Sequence, residues 1–195
     1  MNLGLETGTA APALIAALRP AAVQARLWAE RTLPKGAPVF AVADASDDVF
    51  LLLEGVVKLV YTTAEGEDWI KSFILDQGVF SGRGASDAGA GAGERYGAVC
   101  LSPCRFVRLP RTFVQRAVAG DAGIGAAYAA FADWVLARKQ AREAALLTMT
   151  PEARYRALLT GAHEALARLP QGDVARFLGI TPVAFSRIKR RVAAA

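Results

Sequence analysis

The chain has 195 residues, a formal net charge of +5, 53% apolar residues and two cysteines. This length allows one domain with a substantial core or two small domains. No apolar run reaches the roughly 20 residues of a membrane-spanning helix, and no basic segment precedes the short apolar patch at the N-terminus, so neither a membrane protein nor a signal peptide is indicated. Two cysteines give no disulfide framework. We expect a cytoplasmic protein.

The first half of the chain predicts one or two short helices followed by a small antiparallel β-structure. Apolar residues within 12–33 recur at helical spacing, and Pro20 is expected to break the helix. Short segments rich in β-branched and aromatic residues then alternate with turn residues, at 38–43, 49–54, 55–62, 68–75, 95–101 and 104–109. This spacing is typical of an antiparallel sandwich or barrel. The glycine-rich stretch 81–94 carries no phosphate-binding pattern and is interpreted as a loop.

From Pro110 the pattern becomes helical. After a short helix around Phe113, side chains step by three and four as in a heptad repeat, from Ile124 to Met149. Such a helix runs roughly 40 Å at about 1.5 Å per residue, more than one small β-domain can cover. We predict that it pairs with a second copy of the chain through Ile124, Tyr128, Phe131, Val135, Arg138 and Arg142. The alternative is a helix packed along its own sandwich.

Two short amphipathic segments near the C-terminus flank Gly179, a residue that suits a turn with positive φ. The first segment has one apolar face, formed by Val174, Ala175 and Leu178. The second begins with the N-cap signal Thr181-Pro182 and buries Phe185, Ile188 and Val192. Thr150-Pro151 repeats the same signal and opens a preceding helix, which supplies a third wall. This pattern predicts a helix-turn-helix whose second helix enters a DNA major groove.

Charge is segregated along the chain. Residues 151–195 carry eight basic and three acidic side chains, whereas residues 1–150 carry fifteen of each sign. The whole net charge therefore lies in the segment that contains the predicted helix-turn-helix. A solvated basic C-terminus accounts for solubility, but a polyanionic partner accounts for the segregation as well.

The order of elements and three stretches of sequence resemble the Crp/Fnr (cyclic-AMP receptor / fumarate-nitrate regulator) family. The stretches are VFLLLEGVVKLVY at 49–61, TPEARYRALL at 150–159 and RLPQGDVARFLGITPVAFSRIKRRV at 168–192. The resemblance implies an α+β fold, with an N-terminal antiparallel β-roll (a jelly roll like that of cyclic-nucleotide-binding domains) at 1–110. A short helix and a long dimerisation helix follow at 111–149, and an all-α helix-turn-helix domain at 150–195.

The nucleotide cassette of the family is altered here. Members that bind cyclic nucleotide have a Gly-Glu-Leu/Ala run and then an Arg followed by Ser or Thr and Ala. This chain has Arg83 in place of the ribose-binding glutamate, and Glu94 at or beside the position of the phosphate-binding arginine. A carboxylate there repels a phosphodiester. We expect no cyclic nucleotide and no cofactor, and the candidate pocket for another anionic effector consists of Gly82, Arg83, Arg95 and Tyr96.

Other chemistries fit less well. An iron–sulfur cluster needs four ligands, whereas Cys100 and Cys104 are two thiols that suit small buried positions of the roll, with a redox pair as the alternative. The single histidine, His163, is interpreted as a packed or edge residue. A metal enzyme of the double-stranded β-helix type is not indicated, because no predicted strand holds a histidine.

The resemblance implies which residues face DNA. Pro182, Val183, Ser186 and Arg187 are predicted to face the bases, and Arg187 to contact guanine O6 and N7. Val183 stands where many family members have an acidic residue, and it is suited to a thymine methyl instead. Gln171, Thr181, Lys189 and Arg190 are predicted phosphate contacts. The leading hypothesis is a homodimeric transcription regulator with double-stranded DNA and RNA polymerase as partners; the alternative is a ligand-binding or protein-interaction β-roll without specific DNA binding.

Overall fold

The computed structural model describes residues 8–41, 47–82 and 96–194. Within these ranges the chain forms eight strands between a first helix and five later ones. The helices are α1 (Ala10–Gln24), α2 (Arg111–Gly120), α3 (Ala122–Thr148), α4 (Pro151–Ala167), α5 (Gln171–Phe177) and α6 (Pro182–Ala193). The strands are β1 (Glu30–Leu33), β2 (Pro38–Phe40), β3 (Val49–Glu54), β4 (Val56–Thr62), β5 (Asp68–Leu75), β6 (Gly78–Ser81), β7 (Gly97–Cys100) and β8 (Cys104–Leu109).

The strands form two antiparallel four-stranded sheets packed face to face. One sheet has the order β1-β8-β3-β6 and the other β2-β7-β4-β5. Their inner faces enclose an aromatic cluster in which the Phe50 ring stacks on Phe80 at 5.2 Å between centroids and meets the edge of Phe106 at 5.9 Å. This arrangement confirms the predicted β-roll.

Each sheet is covered on its outer face by helices. The outer face of the first sheet packs against α1, α2 and the N-terminal half of α3 around Leu14, Leu18 and Ile124. The outer face of the second sheet shares a core with α4, α5 and α6, in which the Phe73 ring lies 5.4 Å from that of Phe177. The helical C-terminal region is therefore joined to the roll by a common apolar core.

The helix-turn-helix forms where the sequence indicates it. The Thr150 and Thr181 hydroxyls accept hydrogen bonds from Ala153 N and Ala184 N, each at 3.2 Å, and so cap α4 and α6. Gly179 has φ +73°, and the following Ile180 N–H donates to the Ala175 carbonyl at 3.1 Å, which closes α5 with a Schellman-type turn.

Three details of the secondary structure differ from the prediction. Pro20 lies inside α1 without ending it. Proline has no N–H to donate to the carbonyl of Ala16, and both residues are exposed, so water is able to bond that carbonyl. The helical pattern was predicted to extend to residue 33, whereas α1 ends at Gln24. Residues 30–33 form β1 instead, because they pair with the antiparallel strand β8. Strand β6 was not predicted, because four residues are too few to show a clear alternation of apolar and polar side chains.

Candidate functional site

The recognition helix α6 presents an exposed cationic surface. Pro182, Val183, Ser186, Arg187 and Arg190 are exposed, Lys189 is half-buried, and Phe185 and Ile188 face the core. Val183 keeps 65% of its area in solvent.

Basic side chains on and near the exposed face of α6 differ in their partners. Arg191 pairs with Glu152 at 2.6 Å, and Arg156 pairs with the same carboxylate at 3.1 Å. Within the described ranges no carboxylate pairs with Arg187, Lys189 or Arg190. These three cations are free to meet an external anion.

Two other predicted contact residues lie at helix starts. Gln171 is the exposed first residue of α5, and Thr181 is the exposed N-cap of α6. The Thr181 hydroxyl already accepts from Ala184 N but keeps its proton, which it is able to donate to a phosphate oxygen. All eight residues predicted to contact DNA therefore lie on the helix-turn-helix surface at or near α6 and the start of α5.

Ion pairs hold the helix-turn-helix against the roll. Lys58 Nζ on β4 lies 3.1 Å and 3.2 Å from the two carboxylate oxygens of Asp173 on α5, and Arg176 approaches the same carboxylate at 3.7 Å. Arg168 pairs with Asp76, which also accepts a hydrogen bond from Gly55 N at 2.6 Å. The Arg168 guanidinium is the main reason that the pKa of Asp76 lies below its ordinary value.

Arg142 of α3 is the centre of this junction. Its Nη2 donates to the carbonyl oxygens of Ile70 on β5 at 3.0 Å and Phe177 on α5 at 3.1 Å. Its guanidinium lies 4.6 Å from the Phe177 ring centroid, and burial lowers its pKa. Arg154, also buried, donates at 2.9 Å to Met149 O at the C-terminal end of α3. These contacts fix the helix-turn-helix to both the roll and α3.

The predicted dimer stripe lies on the inward face of α3. Ile124 is buried against α1 and α2, while Tyr128, Phe131 and Val135 are half-buried, the first two against the same cluster. Arg138 lies over the Trp134 ring at 4.3 Å, and Arg142 bonds as described above. Five of these six residues, all but Val135, therefore make contacts within the protomer, because a heptad pattern identifies an apolar face and not the surface that covers it; their contact with a second copy stays a prediction.

The predicted effector pocket is described only in part. Arg83, Arg95 and Glu94 lie outside the described residues, whereas Gly82 and Tyr96 are placed at the roll. Tyr96 is buried, and its hydroxyl donates to Ser81 O. The cysteines behave as small apolar residues: both are free and buried, and burial raises the pKa of Cys100 to about 12.

One half-buried cation of the roll, Lys71, was not singled out from the sequence. Leu59 pairs with Ser72 and Val60 with Ile70, so Lys71 is the extra residue of a β-bulge. Lys71 Nζ lies 3.2 Å from the Tyr96 ring centroid and 5.5 Å from that of Tyr61, and burial, with a smaller effect of Lys139, lowers its pKa to about 7. The signal in the sequence is a lysine within the apolar strand WIKSFIL.

Known proteins share the sequence pattern of this chain. Residues 30–121 match the Cyclic nucleotide-binding domain family. The chain is 27% identical over 183 residues to the Nitrogen fixation regulation protein FixK of Azorhizobium caulinodans, which covers 87% of this chain and 71% of that protein. These matches confirm the resemblance to regulators of the Crp/Fnr family.

Solved structures agree on the fold of the chain. FixK2 from Bradyrhizobium japonicum superposes with a TM-score of 0.71 at 18% identity, covering 86% of this chain and 85% of that one. A CooA mutant from Carboxydothermus hydrogenoformans gives a TM-score of 0.70 at 14% identity, covering 87% and 78%. The Catabolite Activator Protein of Thermus thermophilus gives 0.53 at 22% identity, covering 94% and 87%.

Two features are absent from the described residues. None of their helices has the length and hydropathy needed to cross a bilayer. Over the same ranges, no three histidine, cysteine or acidic side chains come together as metal ligands.

Proposed function

We propose that this protein is a homodimeric transcription regulator that binds a specific two-fold DNA site, and not an enzyme. The observation that carries the proposal is the exposed face of α6, where Arg187, Lys189 and Arg190 have no carboxylate partner among the described residues while the helix is held rigidly from behind. An unpaired cationic helix of a helix-turn-helix is suited to the phosphates and bases of a major groove.

The residues divide into two roles. Arg187 has the length and the paired donors for guanine O6 and N7, and Val183 provides an apolar contact for a thymine methyl, with Pro182 and Ser186 beside them. Gln171, Thr181, Lys189 and Arg190 lie at the margins of this surface and contact phosphates, which fixes register without reading sequence.

The second copy packs on the outward face of α3. That face is lined by small and apolar side chains with few charges, namely Ala129, Ala130, Asp133, Leu136, Ala137, Gln140, Ala144 and Leu147, all exposed. Leu147 keeps 79% of its area in solvent and Leu136 keeps 54%, so the apolar gain from covering them is large. Two copies joined here place their recognition helices on half-sites about 34–36 Å apart.

The regulator acts in the cytoplasm, with RNA polymerase as a further partner, and does not respond to cyclic AMP. Support for the last point is Arg83 and Glu94 in the altered cassette. The effector pocket of the sequence analysis, Gly82, Arg83, Arg95 and Tyr96, stays a proposal for another anion.

The test is selection of bound sequences from random DNA, followed by binding measurements with Arg187→Ala and Arg190→Ala. Arg187→Ala should weaken binding to the selected site by about 1–3 kcal/mol and random DNA much less, whereas Arg190→Ala should weaken both alike. Equal losses for Arg187→Ala on both DNAs would refute base reading.

A salt series separates this function from its alternative, a β-roll module without specific DNA binding. Neutralising several phosphates predicts an affinity that falls steeply between about 50 and 200 mM salt. A protein that selects no sequence and shows no salt-dependent binding would support the alternative.

A further inference from the structure

A cavity of about 240 Å³ lies within the helix-turn-helix, between α4, α5 and α6. Its lining includes the rings of Tyr155 and Phe185, which meet edge to face at 5.0 Å, and the side chains of Leu159, Leu166 and Val174. The volume is below the roughly 300–1,000 Å³ of sites for drug-sized ligands, so it suits a molecule with a single ring.

The polar side chains of the cavity have no partners of their own. They are the Tyr155 hydroxyl, His163, Gln171 and Lys189. In the part of the chain that the structure describes, none of the four makes a hydrogen bond or an ion pair. A lining that combines apolar side chains with a few polar groups is the usual composition of a small-molecule site.

A backbone irregularity of α4 lies beside the cavity. Ala162 has non-helical φ and ψ (−150°, 36°) inside α4, so the helix kinks one residue before His163. The kink interrupts the helical hydrogen-bond ladder on the segment that carries Leu166 and Ala167 to the cavity wall.

The charge of the lining decides the class of ligand. Lys189 is cationic, Gln171, His163 and the Tyr155 hydroxyl are able to donate hydrogen bonds, and no acidic side chain lines the cavity. The aromatic pair favours a ring, which packs offset or edge to face against them. We propose that this cavity binds a small aromatic carboxylate, with its ring against Tyr155 and Phe185 and its carboxylate on Lys189.

Occupancy of the cavity would regulate the protein. Gln171 and Lys189 are phosphate contacts in the proposed function, so a carboxylate that engages Lys189 competes with DNA for that side chain. This consequence rests on the proposed function; the binding of the carboxylate does not.

The first experiment measures binding without DNA. The full chain is titrated with benzoate, and with benzyl alcohol as the neutral counterpart, while backbone ¹H–¹⁵N chemical shifts are recorded. We expect saturable shifts centred on residues 155–189, with a Kd on the order of 1 mM or tighter and at least about fivefold weaker binding of the alcohol.

Three variants locate the site. Lys189→Met should weaken benzoate binding at least about fivefold, while Arg190→Met, which removes an equal charge beside the cavity, should leave it unchanged. Ala167→Phe, at an exposed position on the rim, should block the cavity without disturbing the core. Absence of saturation at about 20 mM benzoate, or equal effects of Lys189→Met and Arg190→Met, would overturn the proposal.

The second experiment adds DNA. Saturating benzoate should weaken wild-type binding to the selected site at least about threefold and should have no effect on Ala167→Phe. Unchanged DNA affinity of benzoate-bound protein would overturn the regulatory consequence. A protein that binds benzoate but no DNA would leave the cavity assignment intact and refute the proposed function instead.

Discussion

The ion pair between Lys58 and Asp173 gives the sharpest test of how the helix-turn-helix is held on the roll. Lys58 is 17% exposed and Asp173 8%, and both carboxylate oxygens lie within 3.2 Å of the ammonium. Lys58→Met keeps most of the side chain but leaves the Asp173 carboxylate buried with only Arg176 nearby, at 3.7 Å. The perturbation therefore isolates the charge.

The magnitude follows from burial. Removing one partner of a buried pair costs about 3–5 kcal/mol, because the remaining charge has lost its compensation. Arg176 is 42% exposed and is able to move closer, which reduces the expected loss to about 2–3 kcal/mol. Asn at position 173 is neutral, so Lys58→Met/Asp173→Asn should be more stable than Lys58→Met alone by at least about 1 kcal/mol.

Urea unfolding followed by circular dichroism measures these differences through linear extrapolation. Glu30→Gln is the matched control, because its pair with Arg105 spans 2.7 Å but both side chains are about two-fifths exposed. That variant should lose much less stability than Lys58→Met, because solvent screens the exposed pair. A Lys58→Met loss no larger than that of the control, or a double variant less stable than Lys58→Met, would refute the assignment of this pair as a buried clamp.

Three further predictions concern the roll, the turn and the dimer. The pKa of Lys71 is about 7 in the folded protein against an ordinary 10.5, so the unfolded chain holds more protons between these values and stability rises with pH across that window. Lys71→Met should remove this rise and increase the free energy of unfolding at pH 6 by about 1–3 kcal/mol, allowing for partial solvation; a rise from pH 6 to pH 9 that persists in the variant would contradict the assignment. Gly179→Ala, at φ +73°, should cost about 1–2 kcal/mol in urea unfolding, whereas Gly172→Ala within α5 should be neutral or stabilising, and equal costs would contradict the turn argument. Leu147→Glu should convert a dimer to a monomer in light scattering while Gln115→Glu on α2 leaves the mass unchanged; a dimer that survives Leu147→Glu would place the interface elsewhere.

Much of the fold follows from short-range chemistry. Thr150-Pro151 and Thr181-Pro182 start α4 and α6 because a hydroxyl cap and a pre-set φ act within one helical turn. Alternation of β-branched and turn residues likewise predicts β3, β4, β5, β7 and β8, since each strand shows its own pattern. Such signals depend only on residues close together in the sequence, so they can be predicted without the structure.

Contacts between residues far apart in the sequence could not be predicted in this way. Arg142 was predicted to meet a second copy of the chain, yet it bonds to Ile70 and Phe177, which lie 72 and 35 residues away in sequence. At Asp173 and Lys71 the sequence shows only a charged residue within an apolar stretch. Neither periodicity nor composition specifies which residues neutralise or cover such a charge.

The sequence by itself determined the kinds of element, their order, the family resemblance and the concentration of positive charge in the last 45 residues. Only the tertiary structure decided which face of α3 is already occupied, how the helix-turn-helix sits on the second sheet, and where a cavity with unpaired polar groups lies. The physical reason is that local backbone preferences act over a few residues, whereas burial of a charge or an apolar face is settled by whichever distant surface the folded chain brings against it.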